Sequence, residues 1–267
     1  MNTGFSDNEW ALILGASSGF GEATSLELSR QGLNICGVHL DRRGTLPHVQ
    51  EVIEGIRQNG RKALFINVNA ADEEKRKEAI ASLQSEIGDG FVRVLLHSLA
   101  FGTLKPMIAG TNEEQINATQ MNMTLDVMAH SLIYWTQDLH RSGLLRNGSR
   151  IFAMTSLGSQ LATKAYGAVS AAKSALESHI RQLTLELAPL GVTVNAIRAG
   201  VTETPSLQKI PGHENLIEAA LKKNPSGRLT APIDVARAIA ALSHPDTYWM
   251  TGNTINIDGG EMIVGTK

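Results

Sequence analysis

The chain has 267 residues, 42% of them hydrophobic and 19% charged, an ordinary globular composition that excludes disordered, collagen-like and fibrous readings. Twenty-four Lys and Arg against 26 Asp and Glu leave a formal charge of -2, which argues against a chain built to neutralise phosphate backbones, so nucleic acid is not an expected partner. The single cysteine, Cys36, has no partner for an internal disulfide, and neither a basic leader in MNTGFSDNEW nor an apolar run near the roughly 18 to 20 residues that span a bilayer is visible, so the expectation is a cytoplasmic protein with no membrane anchor.

Apolar runs of strand length alternate with longer segments of helical period, the pattern of βαβ units and a parallel sheet. Strands are predicted over 10–15, 34–40, 62–68, 91–97, 150–155, 192–198 and 253–257. Helices are predicted over 19–31, 47–59, 72–87, 112–141, 164–188, 214–223 and 231–242. Seven strands suffice for one sheet, and no repeat or linker divides the chain, so residues 1–267 are read as one α/β domain. The stretch 199–230, with Pro205, Pro211 and Pro225, is far longer than the usual connection and suggests a substrate lid; a plain surface excursion is the competing reading.

The first strand runs into Gly15-Ala16-Ser17-Ser18-Gly19-Phe20-Gly21, a G-x-x-x-G-x-G loop that opens a helix. Glycines allow the tight turn and close backbone approach, and free N–H groups at a helix start attract a pyrophosphate. A merely tight turn is the bland alternative. Together with Asn122 in the fourth long helix, a Tyr and a Lys on the next and a late Asp258-Gly259-Gly260, this loop resembles the short-chain dehydrogenase/reductase superfamily over nearly the whole chain. The resemblance implies a Rossmann-type, doubly wound, seven-stranded parallel sheet with helices on both faces, and an NAD(H) or NADP(H) cofactor.

After the second strand, an acid would bond the adenosine ribose and repel a 2′-phosphate, but His39 stands at that spacing. Asp41 follows, and then Arg42 and Arg43, whose planar forks suit a phosphate, so NADP(H) is favoured and NAD(H) kept open through an inward-turned Asp41. The resemblance places Asn69, with Ala70, against the adenine; a turn residue is the alternative.

Most of the superfamily has its reactive Tyr four residues before the Lys, where this chain has Val169. Tyr166 instead stands seven residues before Lys173. On a helix both would share one face, separated by roughly 10 Å of rise instead of about 6 Å. A donor so displaced suits the carbonyl oxygen of an α,β-unsaturated thioester, where charge develops two carbons from the carbon that accepts hydride. Tyr-x6-Lys is also how the enoyl-acyl-carrier-protein reductase branch is identified, and His97-Ser98-Leu99-Ala100-Phe101-Gly102 resembles that branch more than the ordinary Asn-Asn-Ala-Gly.

In this resemblance Tyr166 serves the enolate oxygen, Lys173 the nicotinamide ribose, and His97, Ser98 and Leu99 the cofactor wall, while Ala100, Gly102 and Leu207 line the substrate. Ser156, in Ser156-Leu157-Gly158-Ser159, resembles an NADPH-dependent enoyl reductase branch; Asn122 orders a helix kink near Lys173; Thr202 and Thr204 hold carboxamide and phosphates. Structural readings stand beside each: a satisfied strand-end histidine, a loop hydroxyl, a local helix amide, caps before Pro205. The implied partners are an acyl thioester, carried in one reading by an acyl carrier protein on Lys209, Lys222, Lys223 and Arg228, and further copies of the chain in a homotetramer or homodimer. No metal ligand set is read. The rival functions are a ketone or alcohol oxidoreductase of the 3-oxoacyl or hydroxysteroid kind and a catalytically silent nucleotide-binding scaffold.

Overall fold

The computed structural model describes residues 5–265. Seven parallel strands, β1 (Glu9–Leu14), β2 (Asn34–His39), β3 (Ala63–Asn67), β4 (Phe91–His97), β5 (Arg150–Thr155), β6 (Thr193–Ala199) and β7 (Thr254–Ile257), form one sheet in the order β3-β2-β1-β4-β5-β6-β7. Five of these strands are buried almost throughout, on both faces, which is why they read as continuous apolar runs. The order reverses between β1 and β4, the point at which doubly wound sheets open a crevice beyond their strand ends.

One face is covered by α1 (Gly19–Arg30), α2 (Leu46–Gln58) and α8 (Pro232–Leu242), around Ile13, Leu28, Ile56, Phe152 and Ile239. The other is covered by α3 (Glu73–Ile87), α4 (Ala118–Leu125), α5 (Ser131–Arg141) and α6 (Gly167–Leu187), around Leu12, Leu83, Trp135, Leu176 and Ile180. A further helix, α7 (His213–Lys223), lies in the expected lid segment. Among the described residues no helix is long and apolar enough to cross a membrane.

Two helix starts differ from expectation. The helix predicted from 112 begins at Ala118, because Asn117 and Gln120 form a reciprocal capping box that fixes the first turn there. It is also not continuous: residues Asp126–His130 widen into a π-turn between α4 and α5. The helix predicted from 164 begins at Gly167, since Ala165 has a left-handed backbone (φ 60) that no helix accommodates. Tyr166 is therefore the N-cap residue of α6, not part of its first turn, and its carbonyl accepts the Ser170 N–H at 2.8 Å.

Candidate active site

The chemistry-bearing residues gather beyond the C-terminal ends of β1, β2, β4, β5 and β6. After β1 the chain turns at Gly15 (φ +89), whose N–H donates to the Val38 carbonyl; a Cβ here would stand 2.5 Å from the Ser98 carbonyl oxygen. At Gly21 a Cβ would overlap the Gly15 carbonyl, so only glycine lets the first turn of α1 lie against the strand end. Ser18 caps α1 in an extended conformation without a side-chain cap bond, so the N–H groups of Gly19, Phe20 and Gly21 face outward with the positive end of the helix. Opposite, Thr204 brings its methyl to 3.4 Å from where a Cβ on Gly19 would be. Gly15, Ser17, Ser18, Gly19, Phe20, Gly21 and Thr204 thus make a cleft whose donors and close backbone fit a dinucleotide pyrophosphate.

At the end of β2, His39 is buried beside Phe65 and its Nδ1 lies 2.9 Å from Asp41 Oδ2. It therefore orients Asp41 and does not itself line the cofactor cleft, as the spacing had suggested. Hydrogen bonds from Thr45, Ser17 and His39 outweigh the desolvation that would raise it and hold the Asp41 carboxyl below the usual range. Arg42 and Arg43 are exposed at the rim. Asn69 takes the Ala71 N–H on its side-chain oxygen in a local turn, and Ala70 is buried, its carbonyl accepting from the Trp135 indole.

His97 does not belong to the cofactor wall. It is 0% exposed at the last position of β4, and points down to α5, donating from Nε2 to Ser131 Oγ at 2.9 Å. The Ser131 proton is itself given to the Val127 carbonyl, across the π-turn, which leaves Nδ1 without a partner. Burial and the charge of Lys173 push its pKa down to about 3, so this imidazole is neutral at any working pH. Ser98 and Leu99, by contrast, are half-buried beside Gly15, which the Ser98 carbonyl and a Leu99 methyl adjoin.

Tyr166 and Ser156 are brought together. The Tyr166 ring rests on Gly158, and burial raises its phenol pKa while a hydrogen bond with Ser156 draws it part of the way back. Lys173, 5% exposed, donates to the Met154 carbonyl at 2.7 Å and the Leu99 carbonyl at 3.4 Å. Burial pushes its pKa down to about 8, against a smaller upward pull from Glu177. Asn122 is not in this cluster: its side chain is exposed on α4, and the kink it was expected to order lies one turn later. Thr124 takes the inward position instead, buried and accepting the Thr103 N–H at 3.0 Å.

Residues 15–261 match the family model described as Enoyl-(Acyl carrier protein) reductase. The chain belongs to this family, within the short-chain dehydrogenase/reductase superfamily. Over 253 residues it is 27% identical to cyclohexanol dehydrogenase from Acinetobacter sp. (strain SE19), covering 95% of this chain and 94% of that one. It is 25% identical to 3-oxoacyl-[acyl-carrier-protein] reductase of Haemophilus influenzae, covering 94% and 96%. Its fold superposes on the crystal structure of enoyl-[acyl-carrier-protein] reductase (NADH) from Aquifex aeolicus VF5 with a TM-score of 0.83 at 23% identity, covering 97% and 98%.

In this short-chain dehydrogenase/reductase, two residues expected at the substrate or cofactor, Gly102 and Thr202, serve packing. A Cβ on Gly102 would stand 2.7 Å from the Thr124 methyl, 2.9 Å from Met128 Sδ and 3.0 Å from a Val169 methyl, so Gly102 lets two helices close on the loop. Val169 is thereby buried, 4% exposed, and leaves no donor where other superfamily members carry theirs. Thr202 is buried and donates to the Gly200 carbonyl. Ala100 is exposed, and Leu207 opens a short 3-10 turn with partial exposure. Lys222 pairs with Glu218 and Arg228 with Asp234, as a solvated charged face does.

Of four exposed apolar side chains, only Phe101 falls within the motif read from the sequence. Phe101, Met107, Ile108 and Leu161 are 57%, 49%, 87% and 55% exposed, and Met107 packs over Gly167 next to Tyr166. Met107 and Ile108 lie in the loop that continues this motif, whereas Leu161 follows the 3-10 turn Leu157–Ser159. The segment 199–230 is tethered near its ends, where the buried Glu261 accepts the Val201 N–H and Asn224 donates to the Asp258 carbonyl.

Proposed function

We propose that the chain is an enoyl-thioester reductase that takes NADP(H) and delivers hydride to the β-carbon of a trans-2-enoyl group. The observation that carries this is the placement of the phenol at the N-cap of α6, with Val169 buried at the position four before Lys173. When bound, the reduced nicotinamide supplies the hydride. Tyr166, with Ser156 against it, donates a hydrogen bond to the thioester oxygen where enolate charge develops. Lys173, held by the Leu99 and Met154 carbonyls, presents a cation on the cofactor side. Phe101, Met107, Ile108 and Leu161 give an acyl chain an apolar surface, and the segment 199–230 closes over it. Arg42 and Arg43 at the rim support a 2′-phosphate; Asp41, turned onto Ser17, is the feature that favours NAD(H) instead. Assembly into a homodimer or homotetramer through α4 to α6 is part of the same reading, and light scattering tests it.

The second reading is a ketone or alcohol oxidoreductase. The Ser156–Tyr166 pair supports it, since a serine beside a phenol suits a carbonyl at the hydride-accepting carbon. Loss of reduced nicotinamide with crotonyl-CoA, then acetoacetyl-CoA, then neither separates the two. Turnover of crotonyl-CoA alone supports the first reading, and turnover of acetoacetyl-CoA alone overturns it.

A further inference from the structure

Behind the Ser156–Tyr166 pair lies a polar network that the proposed reaction does not use. One carboxylate oxygen of Glu177, Oε1, accepts from Thr155 Oγ1 at 2.8 Å, Ser159 Oγ at 2.8 Å and Arg198 Nη2 at 2.9 Å. These donors come from β5, from the 3-10 turn Leu157–Ser159, and from β6, while Glu177 is on α6. The Ser159 hydroxyl also lies 2.9 Å from the Ser156 carbonyl, so the same group reaches the residue that bonds the phenol. Glu177 follows Lys173 by four residues, which sets the two side chains on one helix face a single turn apart.

We propose that Glu177 is a positioning residue that acts on both halves of the site: it fixes the Ser156–Gly158 turn against which Tyr166 lies, and its negative charge keeps Lys173 in the ammonium form. This rests on the reading of Lys173 as the cofactor-side cation and holds for an enoyl or a carbonyl substrate alike. A buried ammonium bonded only to carbonyl oxygens is poorly stabilised by them alone, and a carboxylate one turn away supplies the missing counter-charge. Among the described residues, the charge that pulls the Lys173 pKa up is that of Glu177. His97 from β4 is neutral, and Arg198 from β6 is positive and already bonded to Glu177. The double role is what distinguishes Glu177 from an ordinary ion pair. Arg198 and Thr155 clamp the carboxylate in place, and Ser159 transmits its position to the turn.

The test separates charge from tether and reads the first without any substrate. The 13Cε resonance of Lys173 is titrated in the cofactor-free protein, assigned by its loss in Lys173→Met. Glu177→Gln keeps the acceptor oxygen and removes the charge; its Lys173 midpoint falls by roughly one pH unit, and the alkaline limb of kcat/KM moves down with it. Glu177→Asp restores most of the midpoint. Ser159→Ala leaves the midpoint in place and lowers kcat several-fold with little change in KM. Should Glu177→Gln fail to fold because Arg198 loses its partner, Glu177→Gln with Arg198→Lys keeps the positive charge in a smaller group, removes only the negative one, and the same downward shift is expected. An unmoved midpoint in either folded variant overturns the charge role, and an unchanged kcat in Ser159→Ala overturns the tether. Neither result depends on which substrate is reduced, so failure of the proposed reaction would show separately in the assay with crotonyl-CoA.

Discussion

The Tyr166 ring lies on the bare Cα of Gly158: a methyl group at position 158 would stand 2.9 Å from Tyr166 Cδ1, overlap Cε1, and come to 3.4 Å of the Ser156 hydroxyl oxygen. The donor's position is thus set by the absence of a side chain on the turn beneath it. Ser159 and Glu177 hold that turn from behind, so the ring cannot move away by pushing the turn back.

Gly158→Ala should therefore displace the phenol and leave the dinucleotide cleft as it is. A misplacement near 1 Å is enough to lower kcat by roughly 10²-fold. Cofactor affinity, read by fluorescence titration, should stay within about two-fold, because Gly15, Gly19 and Thr204 lie on other loops. A variant with the parent's kcat would show that the phenol does not need this seat.

Removing the hydroxyl itself is the stronger perturbation. Tyr166→Phe is expected to lower kcat by roughly 10² to 10⁴, the range for loss of a proton-donating group, with cofactor binding unchanged. Lys173→Ala should weaken turnover and cofactor binding together. Stopped-flow hydride transfer and equilibrium titration distinguish the pair, and equal loss of cofactor affinity in both variants would contradict the division of roles.

The sheet and the dinucleotide loop were legible because their signals are local. Buried parallel strands read as unbroken apolar runs, and the spacing Gly15, Gly19, Gly21 follows from steric contacts within one turn. What was not legible depends on side-chain direction and backbone breaks. His97 looked like a wall residue because β4 ends there, yet the pleat turns its ring into the core toward Ser131. Asn122 lay in the expected helix, but the π-turn after Leu125 shifts the register, and Thr124 takes the inward position. Tyr166 was read as helical because nothing in its neighbours announces the left-handed Ala165. Glu177 was within reach of the sequence, four residues beyond Lys173, but its role depends on Arg198 and Ser159, which only the fold brings near.

Lys173 gives a stability prediction whose sign depends on pH. Its pKa falls from 10.5 in the unfolded chain to about 8 in the fold, mainly through burial. Between pH 8 and 10.5 the unfolded chain binds more protons, so this group makes stability rise with pH across that window; below pH 8 the whole penalty, about 3 kcal/mol, is present. Its bonds to the Met154 and Leu99 carbonyls offset roughly 1 kcal/mol each. Lys173→Met should thus be more stable than the parent by about 1 kcal/mol at pH 7, and less stable above about pH 10.5, where the neutral amine still donates to the carbonyls. Urea unfolding at the two pH values checks the reversal, and a variant less stable at pH 7 would show that the ammonium is better solvated than its burial implies.

Cofactor choice turns on which charge at the end of β2 governs the 2′ position of the adenosine ribose. Asp41 is already engaged by Ser17, Thr45 and His39, whereas Arg42 and Arg43 are exposed. An exposed pair of guanidinium groups at the rim can meet a phosphate without displacing that hydrogen-bonded acid. Replacing both arginines with Ala should therefore weaken NADPH by roughly 10-fold or more, equivalent to about 1.4 kcal/mol, and NADH hardly at all. Asp41→Asn should act in the opposite direction, tightening NADPH by removing like-charge repulsion. Isothermal titration with both nucleotides measures the four affinities. Equal losses for NADPH and NADH in the double arginine variant would reject the phosphate assignment and leave Asp41 as the group that selects NAD(H).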